Sequence, residues 1–156
     1  MKRLFLAAVV SVLFLCGCGR IIDWVPVTFY VEVQDAEGKD LLDPANDNSW
    51  LIGTEISFNG KLETIDEQDI ASAMTRAVDV QYNGVRLQKG SERYHLAFGE
   101  FSGAKEYSNE VILIKWSDGS TNEITYKRRL NGVTVNAKEV FKLDGVKCTN
   151  PIVIVR

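Results

Sequence analysis

The chain has 156 residues, with 18 basic residues against 21 acidic ones and a formal net charge of −3. That length fits one ordinary domain, long enough to bury a core without disulfide staples. The acidic balance argues against nucleic acid as a partner, since such binding is driven by clustered Lys and Arg.

At the N-terminus, Lys2 and Arg3 precede an apolar run from Leu4 to Leu15, and then come Cys16, Gly17 and Cys18. A basic start, a short apolar core and a small residue before a cut site describe a secretory signal. The run falls short of the ~20 apolar residues of a membrane span. Leu15-Cys16-Gly17-Cys18 resembles a bacterial lipobox, the site read by lipoprotein signal peptidase. The resemblance implies that Cys18 is acylated, palmitate included, and becomes the mature N-terminus, with Gly17 suited to the position before the cut. Several acyl chains at about 0.8 kcal/mol per buried CH₂ moor a protein almost permanently. The expected organisation is a signal peptide over 1–17, a lipidated tether over 18–25 and a β-domain over 26–156. Gly19-Arg20-Ile21-Ile22-Asp23 lacks the acidic cluster that resembles a surface-export signal, so the periplasmic face and the cell surface both stay open. Removing 17 residues leaves 139, with 16 basic against 21 acidic and a net of −5.

The mature part reads as strands joined by turns. Val27, Phe29, Val31 and Val33 alternate with Thr28, Tyr30, Glu32 and Gln34, which predicts a half-buried strand. Asp35 to Asp40 predicts a turn, extended by Asp43-Pro44 and Asn46-Asp47-Asn48 into a polar loop. Trp50, Ile52, Ile56 and Phe58 predict a second strand, closed by Asn59-Gly60. Asn-Gly is a strong hairpin signal, because both central residues of a type I′ turn need positive φ. It occurs again at Asn83-Gly84, between Val78-Val80-Tyr82 and Val85-Leu87. Tyr94, Leu96 and Phe98 follow, then a polar, glycine-containing connection from Gly99 to Asn109. Val111 to Trp116 is apolar on both faces apart from Lys115 and predicts a central strand. Asp118-Gly119-Ser120 reverses it into Ile124 and Tyr126. Lys127-Arg128-Arg129 reads as the solvated end of that strand. Val133, Val135, Ala137, Phe141 and Leu143 supply the next inward row. Ile152 to Val155 predicts a strand buried on both sides.

One stretch departs from this pattern. Ile70, Ala73, Met74 and Ala77 have helical spacing, with Thr64 or Asp66 as a cap, so a short helix is expected between Thr64 and Ala77. The whole predicts a mainly β fold, an antiparallel two-sheet sandwich of immunoglobulin-like or transthyretin-like type. Phe29, Trp50, Phe58, Phe98, Trp116 and Phe141 are its expected core.

Three stretches, VEVQDAEGKDLLDP (31–44), FGEFSGAKEYSNE (98–110) and IKWSDGSTNEITY (114–126), resemble a group of envelope lipoproteins from Bacteroides and relatives. The resemblance rests on turn and strand motifs. It implies an envelope lipoprotein with a mostly β domain and carries over no functional residues. AEGKDLL (36–42) also resembles loops of transthyretin-like and carboxypeptidase-regulatory-like sandwiches.

Each reaction class needs residues that this chain mostly lacks. Nucleophilic machines of the Ser-His-Asp or Cys-His kind need His as base, and His95 is the single His. Cys148, the one thiol left if Cys18 is acylated, is expected to be buried and inert. One His and one Cys cannot close a zinc site. The oxygen-rich loop from Asp35 to Asn48 offers calcium-type ligands, but Asp, Asn and Gly also mark ordinary turns, and its spacing is not that of an EF-hand. The expectation is therefore a binding or structural module with no catalytic residue, no metal and no cofactor. Its contact residues are expected to be Tyr107 in a polar loop, with Trp50 and Trp24, and its partner a glycan or an envelope protein besides the membrane. Two other readings remain: an assembly subunit pairing through Ile152–Val155, and a hydrolase using Glu100 or Glu106, with Glu110 nearby.

Overall fold

The computed structural model describes residues 26–58, 60–67, 84–130 and 137–156. Its strands are β1 (Val27–Gln34), β2 (Glu55–Phe58), β3 (Lys61–Thr64), β4 (Arg86–Lys89) and β5 (Tyr94–Phe101), then β6 (Tyr107–Lys115), β7 (Thr121–Leu130), β8 (Ala137–Leu143), β9 (Val146–Cys148) and β10 (Ile152–Val155). They form a sheet of four, in the order β10-β1-β5-β4, and a sheet of six, in the order β3-β2-β6-β7-β8-β9. This is the mainly β, two-sheet arrangement that the alternation predicts. Every described pair is antiparallel except β1 with β10, which run parallel.

The alternation of β1 is literal: Val27, Phe29, Val31 and Val33 are buried and the residues between them are half-buried. Phe29 stands at the centre of the core. Its ring stacks on Phe98 within its own sheet at 5.8 Å. It meets Tyr126 and Phe141 of the facing sheet edge-on at 5.1 and 5.6 Å. Such tilted contacts suit the ring quadrupoles and lock the two sheets in one register. Between Phe98 and Phe101, β5 carries one residue more than β1 opposite it, a β-bulge. Gly99 sits there at φ +81°, and a Cβ would meet the Phe29 ring at 3.1 Å. Only glycine fits that position without strain.

Several expected elements shift. Trp50 belongs not to a strand but to a short 3₁₀ turn, Ser49–Leu51, and β2 begins only at Glu55. Leu51 takes the core place instead, while Ile52 is exposed. Gly53, at φ +83°, re-aims the chain between turn and strand. The connection expected over 99–109 shrinks, because β5 runs on to Phe101 and β6 starts at Tyr107. β6 is interior to its sheet, yet Val111 and Leu113 on its outer side are exposed, so it is buried on one face only. β10 is likewise not doubly buried. It lies at a sheet edge, with Ile152 and Ile154 inside and Val153 and Val155 outside. β2 and β3 pair as a hairpin, with Phe58 opposite Lys61 and Gly60 at φ +72°; Asn59 lies outside the described residues. Thr64 is the last residue of β3 rather than a helix cap, and of the two expected caps it is Asp66 that immediately precedes a helical residue, Glu67. The helix expected up to Ala77, the Val78–Tyr82 run, Val133 and Val135 lie outside the described residues.

The two ends of the sandwich differ. At the Val27 end of β1 lie Phe101 and Tyr107, and Arg128 of β7 donates to the Gly103 carbonyl at 2.8 Å. At the Gln34 end gather the 35–48 loop, the β6–β7 turn and Arg156, whose backbone N–H donates to the Gln34 carbonyl at 2.9 Å. Asn150 fastens the segment before β10 to the middle of β1: its side-chain amide donates to the Thr28 carbonyl and accepts from the Tyr30 N–H, at 2.8 and 2.9 Å.

Candidate functional site

At the Gln34 end, an open cleft of about 500 Å³ is lined by Lys39, Leu41, Asn46, Asp47, Trp50, Ser117, Asp118 and Arg156. Its size suits a small ligand. The walls come from distant parts of the chain, and each is built locally for the purpose. Asp and Asn side chains fold the 35–48 loop by capping its own amides. Asp35 accepts from the Lys39 N–H, Asp43 from Ala45, and Asp47 from Ser49. Asp40 accepts from Leu42 through one oxygen and from the Tyr94 N–H of β5 through the other, which pins the loop to the sheet. Asn48 donates to the carbonyls of Leu42 and Asp43, and the loop then passes into the 3₁₀ turn that carries Trp50.

The opposite wall is the β6–β7 turn. Trp116 and Ser120 close it, with Gly119 at φ +85°. Trp116 is buried and its indole N–H donates to Asn122 at 2.7 Å. The Ser117 hydroxyl donates to the Trp50 carbonyl and joins the two walls. Between them lies the Arg156 guanidinium, 5.1 Å from the Trp50 ring centre and 4.9 Å from that of Trp116. Those two rings are 5.8 Å apart. Arg156 also donates to Asp118 and to the Ser120 hydroxyl. A cation set over two indoles and held at once by a carboxylate and a hydroxyl is a preorganised arrangement that Lys, with a single ammonium, would not reproduce.

The charges balance: Lys39 and Arg156 face Asp47 and Asp118. Hydrogen bonds from Ser120, and then the nearby Arg156, hold the Asp118 carboxyl below its ordinary value. Ser49 does the same for Asp47. The cleft therefore offers a ligand an aromatic edge, two fixed anions, two cations and the Asn46 amide, with little net field.

Trp50 is the one expected contact residue that the fold brings to this cleft. Tyr107 is not in a polar loop. It opens β6, is half-buried, and packs edge-on against Phe101 at 5.0 Å and near Tyr126 at 5.7 Å. Trp24 and Cys18 lie outside the described residues. His95 is half-buried and edge-on to Tyr30 at 4.8 Å, and partial burial pulls its pKa down. Cys148 is half-buried in β9, in the other sheet from His95, and burial pushes its thiol up. A raised thiol pKa disfavours thiolate, the reactive form. Glu106 accepts the Leu130 N–H at 2.8 Å. Among the described residues, no group of three His, Cys, Asp or Glu side chains could hold a metal ion. The basic triplet stands at the C-terminal end of β7 as expected, but it is not solvated throughout: Arg129 is exposed, whereas Arg128 is buried beside Glu139, which also accepts from the Tyr126 hydroxyl at 2.8 Å.

Sequence reasoning missed Arg156, Trp116 and Asp118 as neighbours. The turn Trp116-Ser117-Asp118-Gly119-Ser120 was legible as a turn, but nothing local links it to Arg156, 36 residues beyond Ser120. Only the parallel docking of β10 on β1 brings them together. No family model matches the chain, and no curated protein or solved structure is detectably similar to it.

Proposed function

We propose that the protein is an envelope lipoprotein, moored to a bacterial membrane through acylated Cys18, that works as a non-enzymatic recognition module. Its ligand is a neutral glycan, bound in the cleft between Trp50, Asp118 and Arg156. The observation that carries this reading is the Arg156 guanidinium set over the Trp50 and Trp116 rings and tied to Asp118. Sugars combine apolar ring faces with many hydroxyls, and the cleft pairs indole surface with fixed acceptors and donors at near-zero net charge. Position supports it too. The proposed tether joins the domain at the Val27 end of β1, whereas the cleft is at the Gln34 end, so the length of the strand, roughly 25 Å at about 3.3 Å per residue, separates that junction from the cleft. A moored domain would then hold the cleft away from the bilayer.

A glycan array probed with the purified protein, with Trp50→Ala and Tyr107→Ala alongside, tests the reading. Retention of one or more neutral glycans is expected, at least tenfold weaker for Trp50→Ala and unchanged for a folded Tyr107→Ala. An empty array, or binding indifferent to Trp50→Ala, contradicts it. One further reading, an assembly subunit that pairs by strand addition, is favoured by the place of β10 at a sheet edge.

A further inference from the structure

Among the described residues, β10, β4, β3 and β9 end the two sheets. Exposed edges are templates for pairing, and proteins blunt them with charge. β4 carries Arg86 and Lys89, β3 carries Lys61 and Glu63, and β9 has only three residues, Lys147 among them. β10 is Ile-Val-Ile-Val and carries no charge at all. Val153 and Val155 are 42% and 59% exposed.

The backbone of β10 is equally specific. In a parallel pair, alternate residues turn both polar groups to the neighbour. Arg156 donates to the Gln34 carbonyl, and the register sets Ile154 opposite Val33. Ile152, Ile154 and Arg156 thus face β1, and the N–H and C=O of Val153 and Val155 point out of the sheet.

We infer that β10 pairs antiparallel with β10 of a second copy of this chain, about a two-fold axis through Ile154. This deepens the strand-addition reading and does not depend on the glycan cleft. In that register each copy's Val153 lies opposite the other's Val155. These are the residues whose backbone groups point outward, so both pairs make two N–H···O=C bonds. Ile154 meets Ile154 on the buried side, and the valines meet on the outer side. A slip of one residue would set outward Val against inward Ile and is excluded by the pleat. The strand is self-complementary, as a two-fold interface requires. The join is short and therefore weak in dilute solution. Confinement to one membrane would raise the effective concentration of the two copies.

Register-specific cross-linking tests this. In a Cys148→Ser background, full-length Val153→Cys and Val155→Cys chains are expressed separately and together, then oxidised both in membranes and as concentrated purified protein. Opposed residues of such a pair have Cα atoms about 5.5 Å apart, within disulfide range. The mixed pair is expected to yield at least tenfold more disulfide dimer than either single variant, and adding Val153→Lys to the Val155→Cys partner should abolish it with no change in melting temperature. A mixed pair that gives no dimer in either setting overturns the inference. So does equal cross-linking by Val153→Cys alone, which would require another register. Because the purified arm needs no tether, its outcome is separate from that of the lipid anchor.

Discussion

Arg156 is the residue on which the cleft turns. Its guanidinium touches two indoles, a carboxylate and a hydroxyl, and its side chain is only 20% exposed. Each cation–π contact at a partly exposed site is worth about 0.5–1 kcal/mol. Arg156→Ala should therefore cost about 1–2 kcal/mol, read as a lowered melting temperature, and should shift tryptophan emission as Trp50 becomes wetter. Arg156→Lys should recover only part of the loss, since a compact ammonium cannot reach both rings while donating to Asp118 and Ser120 from one fork. Asp118 adds a pH signature. Its carboxyl is held below the ordinary 3.8, so its contribution is complete above that value and is lost as pH falls through the lower, folded one. Tryptophan emission should be flat from neutral pH down to about 4 and change only below it. A transition centred near pH 5 or above would show that Asp118 does not hold Arg156. At the other end, Arg128 is buried and shares Glu139 with the Tyr126 hydroxyl. Glu139→Ala would leave that cation without its carboxylate. Glu139 is one-third exposed, so the cost should be about 2–3 kcal/mol, below the ~3–5 of a fully buried pair. Chemical denaturation measures it.

At the scale of elements, alternation and turn chemistry carried most of the information. β1 is readable because its period of two is unbroken, and the β2–β3 hairpin because the Asn-Gly pair in the sequence signals a tight turn. Burial on two faces was misread where the apolar run was real but the sheet left one side open. Val111, Leu113, Val153 and Val155 are as apolar as their inward neighbours, and composition cannot tell a covered face from an exposed one. Trp50 departs from the expected strand because the 3₁₀ turn occupies Ser49–Leu51 and Gly53, two residues on, turns the chain before β2 begins. The cleft was the least legible feature. Trp50 was singled out, but its partners depend on β10 docking parallel to β1, a long-range pairing with no local signature. Element packing makes its own prediction. Phe141 of β8 is buried between Phe29 and Tyr126, with ring separations of 5.6 and 5.0 Å. Phe141→Ala should cost about 3–5 kcal/mol. A melting temperature within a degree or two of wild type would mean that the two sheets do not meet there.

For the whole molecule, the architecture separates two tasks. The Val27 end of β1 receives the chain from the proposed tether, and the Gln34 end carries the cleft. The aromatic core between them, with Phe29 joining both sheets, makes one rigid spacer. Loops at one end of a stiff sandwich are a recurrent place for recognition, because the scaffold fixes their geometry. Recognition at a cell boundary would need that rigidity and a mooring together, so the proposed mooring is the claim on which the functional reading depends. It is tested most directly by palmitate labelling with membrane fractionation of the wild-type chain and Cys18→Ala. The wild type should incorporate label and sediment with membranes, and Cys18→Ala should do neither. Equal labelling and equal sedimentation of the variant would contradict the account.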